Sequence, residues 1–209
     1  MNKNFIIGGV IIFGLFVIGL IWLASQDANQ GIKENDALGD TFAQYAQELG
    51  LDTEKFISDY NSASVNSSVE KDTQDATELG VNATPTLMIN DEKLQYNTYD
   101  DIKGLIDTKI AEGSVQEITD PDHTKGAESP KVLIVEFSDF QCPACASFTP
   151  FVSQIIADYP SDVAVHYRHF PLPMHPSADE AARAAEAAAE QGKFWEMHDI
   201  LFERQNDWS

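Results

Sequence analysis

Cys142 and Cys145 stand three residues apart in the run Cys142-Pro143-Ala144-Cys145, and they are the only cysteines among 209 residues. Three residues are about one helical turn, so two thiols at this spacing can bond and unbond with little movement of the backbone. The run follows an apolar stretch, Val132 to Phe137, and opens a segment of helical pattern that reaches about Ala157. That context puts Cys142 at a helix N-terminus, where unpaired N–H groups and the helix dipole favour a thiolate. A stabilised thiolate is a good leaving group, and its disulfide is a ready oxidant. Cys145, one turn further in, is the more shielded sulfur and the one placed to resolve a mixed disulfide. A structural disulfide framework would need more cysteines, more widely spaced. A zinc site would need further ligands at suitable spacing, and none of the five histidines falls within a few residues of the pair. Neither a metal nor a cofactor is expected.

Other residues bear on the same chemistry. Glu136 lies six positions before Cys142, on the strand that leads into it. A carboxylate there either moves protons to and from Cys145 or is an exposed or paired strand residue. Pro85, in Ala83-Thr84-Pro85-Thr86, precedes another short apolar run. Alone it reads as a turn; beside a thiol helix it reads as a cis proline facing the sulfurs. The Thr84 backbone would then be free to take an extended client segment as an added strand. Phe140, Phe148 and Phe151 are either core or the rim of a client groove. His169 and His175 flank Phe170-Pro171-Leu172-Pro173 and read mainly as structural.

The elements that must hold these groups are set by hydrophobic period. Helices are expected over Ala37 to Leu49, from Asp52, over about Ser64 to Leu79, and over Tyr99 to Ala111, the last with Ile102, Leu105, Ile106 and Ile110 inward. Further helices are expected over Ser177 to Ala189 and Phe194 to Phe202. Strands are expected over Thr86 to Ile89, Lys93 to Gln95, Val132 to Phe137 and Val163 to Tyr167. Val132 to Phe137 is an almost continuous β-branched run, as suits a central strand. Glu112 to Pro130 is polar, carries Gly and Pro, and reads as a linker. Strands interleaved with helices make an α/β fold.

Phe5 to Ala24 is an uncharged apolar run of 20 residues, enough to span a bilayer core. Lys3 precedes it, so positive charge stays inside and the remainder faces outward. A cleaved signal peptide is the competing reading, which the length of the run and its flanks fit less well. The formal net charge is −21, with 34 acidic and 13 basic side chains. That argues against a nucleic-acid partner, because a phosphate backbone needs a basic face.

Taken together these segments resemble the DsbA-like branch of the thioredoxin superfamily. Residues 132–145, VLIVEFSDFQCPAC, resemble its first redox segment. Residues 167–176, YRHFPLPMHP, and 192–199, GKFWEMHD, resemble the family's segments immediately after it. Residues 80–86, GVNATPT, resemble the later cis-proline segment. The resemblance implies a thioredoxin-like core with an inserted helical subdomain. It makes Cys142 the nucleophile, Cys145 the resolving cysteine, Pro85 the cis proline and Glu136 the buried acid. Pro143, Ala144, Thr84, Phe140 and Gln141 fall in the motif and substrate groove. The order is inverted relative to the family. The cis-proline half occupies about 38–113 and the CPAC half 131–209, joined by a linker at 114–130. That is what a circular permutation would look like, behind an anchor at 5–24 and a tether at 25–37. Two incomplete tandem domains and a swapped dimer are the alternatives. The expected activity is oxidation of exported protein thiols on the outer face of a membrane, with regeneration by a quinone-linked membrane oxidase. The rivals are a reductase or isomerase using the same site, and a client-binding module that uses the groove alone.

Overall fold

A computed structural model describes residues 37–209 except 91, 97, 114 and 122. The expected membrane anchor at 5–24, and the tether except for Ala37, lie outside the described residues. Among the described residues no helix is long and apolar enough to cross a membrane.

Three helices come first: α1 (Ala37–Glu48), α2 (Thr53–Tyr60) and α3 (Ala63–Glu78). Asp52 and Ser62 start α2 and α3 by accepting hydrogen bonds from the N–H groups of Lys55 and Val65. Strands β1 (Thr86–Ile89) and β2 (Glu92–Lys93) come next, then α4 (Tyr99–Glu112). Thr98 and Asp101 close a reciprocal capping box at the start of α4. The remainder runs β3 (Thr124–Gly126), β4 (Val132–Ser138), α5 (Pro143–Asp158), β5 (Val163–His169), α6 (Ala178–Ala189), α7 (Phe194–Glu203) and α8 (Gln205–Trp208).

The strands form one mixed sheet in the order β2-β1-β4-β5-β3. β4 and β5 are parallel, as a crossover through α5 demands, and the other neighbours are antiparallel. β1 pairs with β4 from Thr86↔Phe137 to Ile89↔Ile134, so the early and late parts of the chain share one sheet. Alternation along the strands sorts the core into two faces. Leu87, Ile89, Val132, Ile134, Val163 and Val165 pack under α4 and α5, while Met88 and Phe137 pack on the opposite side with Ala76 of α3. A third apolar cluster joins Phe42 and Tyr45 of α1, Phe56 and Tyr60 of α2, and the buried alanines of α6. The small side chains of Ala181, Ala184, Ala185 and Ala188 let α6 lie close to α1, α2, α3 and α7.

Three expectations need correction. The stretch 114–130, read as a polar linker, contains β3, which pairs antiparallel with β5 at the sheet edge. Its composition hid it, because an edge strand needs few apolar residues. Gly126 shows how closely it lies: a Cβ there would sit 2.5 Å from the Val163 carbonyl oxygen, and its φ is +116°. The second strand falls at Glu92–Lys93 rather than Lys93–Gln95, directly after a turn in which Asn90 takes a φ of +47°. Leu105 is exposed, because Ile102 and Ile106, one turn apart, already fill the seat against the sheet.

Candidate active site

Strand β4 delivers the chain to the site and α5 carries it away. Along β4, Val132, Ile134, Glu136 and Ser138 share one face by alternation, so the apolar row under α5 ends in two polar residues. Glu136 lies between Leu87 of β1 and Tyr167 of β5 in the sheet register. It is 4% exposed, and burial between those neighbours pushes its carboxyl up to about 7, against partial opposition from the Ser138 hydroxyl and the Lys125 charge.

The chain then turns, Cys142 N–H donating to the Asp139 carbonyl at 3.0 Å. Cys142 occupies the N-cap position of α5, with extended backbone angles and no side-chain cap, and Pro143 comes next at the first helical position. Both sulfurs are free thiols. Cys142 is 7% exposed and Cys145 is wholly buried. Burial pushes the Cys145 thiol up to about 12; the Ser138 and Thr84 hydroxyls and a hydrogen bond from the Asp139 backbone pull the other way. Pro143 and Ala144 are exposed, and Gln141 is half-buried.

The Thr84–Pro85 peptide bond is cis, and the Thr84 carbonyl accepts from the Cys142 thiol at 3.6 Å. Both residues are half-buried. The structure therefore brings the Cys142–Cys145 turn to Thr84 and Pro85 from two stretches more than fifty residues apart in sequence, and Glu136 stands on the strand that leads into that turn.

Phe140 is elsewhere. It is 1% exposed, stacked on Tyr167 with ring centroids 5.2 Å apart and set against Phe202 at 4.9 Å. It belongs to the helical core beneath the site rather than to a client groove. The reason is direction: the turn at Asp139 points the ring away from solvent, into the cluster that α6 and α7 enclose.

Two supports, Asp139 and Gln205, went unread in the sequence, and a third, Gln141, was expected in the substrate groove. Asp139 is buried, and its carboxylate accepts from Gln141 N–H at 2.7 Å, from Leu172 N–H at 2.8 Å and from His175 Nδ1 at 2.7 Å. It ties the thiol loop to the proline-rich loop after β5. Gln205, in α8, donates from Nε2 to the carbonyls of Phe140 at 2.6 Å and Cys142 at 3.1 Å. The Gln141 side chain accepts from Ser177 N–H at 2.7 Å, at the start of α6. An acid between Ser138 and Phe140, just before the cysteines, was the one available signal; nothing in the sequence marks Gln205.

His123, His169 and Glu186 are a set of potential metal ligands among the described residues. Glu186 Oε1 accepts from His123 Nε2 and His169 Nε2, each at 2.8 Å, so protons already occupy the shared space. His169 Nδ1 is buried without a partner, whereas a metal-bound histidine is normally oriented through its second nitrogen. The cluster fits an ionic clasp better than a metal. His123 Nδ1 also faces the Asp120 carboxylate at 3.0 Å. Burial works against the charge on His123, and the two carboxylates outweigh it, raising the ring to about 10. Burial likewise opposes ionisation of Glu186, and its two histidine partners win, holding the carboxyl well below the usual range.

A family model described as "Thioredoxin" matches residues 22–108 and 119–209. The chain belongs to the thioredoxin family. Membership accords with oxidoreductase chemistry in general, and the mixed sheet with helices on both faces is a thioredoxin-like fold. Among curated proteins, the chain is 49% identical over 89 residues to Na(+)/H(+) antiporter NhaA 3 of Salinispora tropica, a match covering 42% of this chain and 14% of that protein. It is 46% identical over 93 residues to Na(+)/H(+) antiporter NhaA 1 of Mycolicibacterium vanbaalenii, covering 43% and 15%. A similar match reaches Na(+)/H(+) antiporter NhaA of Herminiimonas arsenicoxydans, 42% identical over 85 residues, covering 41% and 13%. The chain thus spans about one seventh of the curated relatives it matches.

Proposed function

We propose that this protein is a membrane-anchored, DsbA-like thiol–disulfide oxidoreductase that introduces disulfides into exported proteins. The observation that carries the reading is Cys142 at the head of α5, its sulfur 3.6 Å from the carbonyl that precedes cis Pro85, with Cys145 buried one turn behind. In the oxidised protein a client thiolate attacks Cys142 Sγ. The Cys142–Cys145 bond breaks, its electron pair goes to Cys145, and Glu136 supplies the proton. A second client thiolate then attacks the client sulfur of the mixed disulfide, and Cys142 leaves as the thiolate. The client departs oxidised and the protein remains as a dithiol. A quinone-linked thiol oxidase in the membrane takes up those electrons. Client backbone pairs with Thr84 as an added strand, beside the exposed Pro143 and Ala144.

The catalytic domain is read as circularly permuted, its cis-proline half (38–113) preceding its CPAC half (131–209). Pairing of β1 with β4 in one sheet supports a single domain built from both. The apolar run Phe5 to Ala24 serves as a single-pass anchor with the domain on the extracytoplasmic face. Partial similarity to proteins named Na(+)/H(+) antiporters accords with a place at a membrane.

The deciding measurement is the reduction potential of the Cys142–Cys145 pair, by equilibration against glutathione. An oxidant stands well above about −180 mV, toward the −120 mV of strong oxidases. A value near about −270 mV assigns the same site to a reductase instead.

A further inference from the structure

Two hydroxyls beside the sulfurs, Ser138 Oγ and Thr84 Oγ1, are buried and make no close hydrogen bond, although Ser138 lies near enough to Glu136 to act on its carboxyl. Ser138 is 1% exposed, and its backbone is satisfied, since Phe170 N–H donates to its carbonyl at 2.8 Å. A buried hydroxyl without a partner is destabilising, because it gives up its water and gains nothing in return. Two of them at one place in a native fold call for an account. Their position supplies it. Ser138 comes two residues after Glu136 on the strand face under α5. The β1–β4 register, carried one residue beyond Thr86↔Phe137, sets cis Pro85 opposite Ser138. Thr84 already touches the pair through its carbonyl, 3.6 Å from Cys142 Sγ. Both hydroxyls act on the Cys145 sulfur, each against the effect of burial.

A neutral thiol is a weak acceptor and cannot hold two O–H groups. A thiolate is a strong one, and a thiolate formed at a wholly buried sulfur has no water to solvate it. We propose that the Ser138 and Thr84 hydroxyls are hydrogen-bond donors to the Cys145 thiolate released when the Cys142–Cys145 bond is broken. At rest neither has a partner within hydrogen-bond geometry, and a thiolate at Cys145 would supply one. In that step the attacking thiolate bonds to Cys142 Sγ, the sulfur–sulfur bond breaks, and its electron pair resides on Cys145 until Glu136 delivers a proton. Donors fixed in advance where charge will develop stabilise the transition state without reorganisation. The inference rests on the oxidoreductase reading and adds to it the groups that let a buried sulfur leave.

The test uses the full chain, oxidised and then mixed with excess reduced glutathione at neutral pH. Loss of the bridge is monitored by acid quench, alkylation and mass measurement. Ser138→Ala and Thr84→Val are each expected to slow bridge opening about tenfold or more. Thr84→Ser, which keeps the hydroxyl, is expected to stay within about threefold of the parent. Alkylation of Cys142 in the reduced proteins should change by less than about twofold, because it generates no charge on Cys145; a merely structural defect would move it. Folded variants that open at the parent rate overturn the role of the hydroxyls. Should Ser138→Ala not fold, the contrast between Thr84→Val and Thr84→Ser decides alone. A parent protein whose cysteines neither bridge nor exchange with glutathione overturns the oxidoreductase reading, and this inference with it.

Discussion

At the scale of single residues, Glu136 shows how a sheet sets acidity. A carboxylate at the end of an apolar row, between Leu87 and Tyr167, loses its water and gains only partial compensation from Ser138 and Lys125. Its pKa of about 7 stands above the ordinary 4.5. A raised carboxyl means that the folded state holds the proton more tightly than the unfolded chain does. Stability should therefore fall as pH rises from about 4.5 to about 7, and stay lower above that. The penalty is on the order of 3 kcal/mol at pH 8. Glu136→Gln should remove it: urea unfolding is expected to show the variant more stable than the parent at pH 8, and the two close together at pH 4. A parent whose stability does not fall between those values, relative to the variant, would mean that Glu136 is solvated. The same carboxyl, half-ionised near neutrality, has the acidity a proton donor to Cys145 needs.

At the scale of elements, the His123–Glu186–His169 clasp ties the segment before β3 to α6 and the end of β5. Each group contributes in its own window. His123 is raised to about 10 from 6.5, so its contribution is complete below about pH 6.5 and is lost as pH climbs toward 10. Glu186 is lowered from 4.5, so its contribution is complete above that value and is lost as pH falls. The clasp as a whole acts between those limits. Glu186→Ala leaves two histidines facing a void, one of them charged. It should cost about 3 kcal/mol near pH 6, in the range of broken buried pairs. Thermal melts of parent and variant from pH 2 to 10 should differ most between about pH 4.5 and 6.5 and converge toward both extremes. A constant difference across that range would identify a packing loss instead.

At the scale of the whole molecule, charge and connectivity make separate predictions. A formal charge of −21 repels itself at low ionic strength, while ion pairs such as Arg204–Glu48 lie at the surface and contribute little. Added sodium chloride should therefore raise the melting temperature between about 10 and 500 mM, where the screening length shortens from tens of ångströms to a few. A fall would mean that the surface pairs outweigh the net repulsion. Connectivity is tested by cutting. A protease site introduced at the exposed Val115 would separate the chain into the stretches that carry β1 and β4. If both build one domain, the fragments should stay associated on gel filtration after cleavage and keep Cys142 shielded. Fragments that separate under native conditions would indicate two independent units.

Much of this fold was legible in the sequence. Period and turn chemistry located α1, α3, α4, β1, β4 and α5 to within a few residues, because their apolar faces are continuous and their ends carry Asp, Ser, Thr or Gly. The thiol pair declared itself through residue type and spacing, since few other uses exist for two lone cysteines one helical turn apart. What the tertiary structure alone decided were the contacts made across long separations. The approach of Thr84 to Cys142 and the burial of Glu136 were expected only through the family resemblance and are written in no local pattern, and the hold of Gln205 on the thiol loop was not expected at all. Strand β3 escaped for a related reason: an edge strand is defined by the partner it pairs with, and pairing is not a property of its own residues. Hydrophobic period reports which face of an element is buried. It does not report against what, and in this protein the chemistry of the sulfurs depends on that second fact.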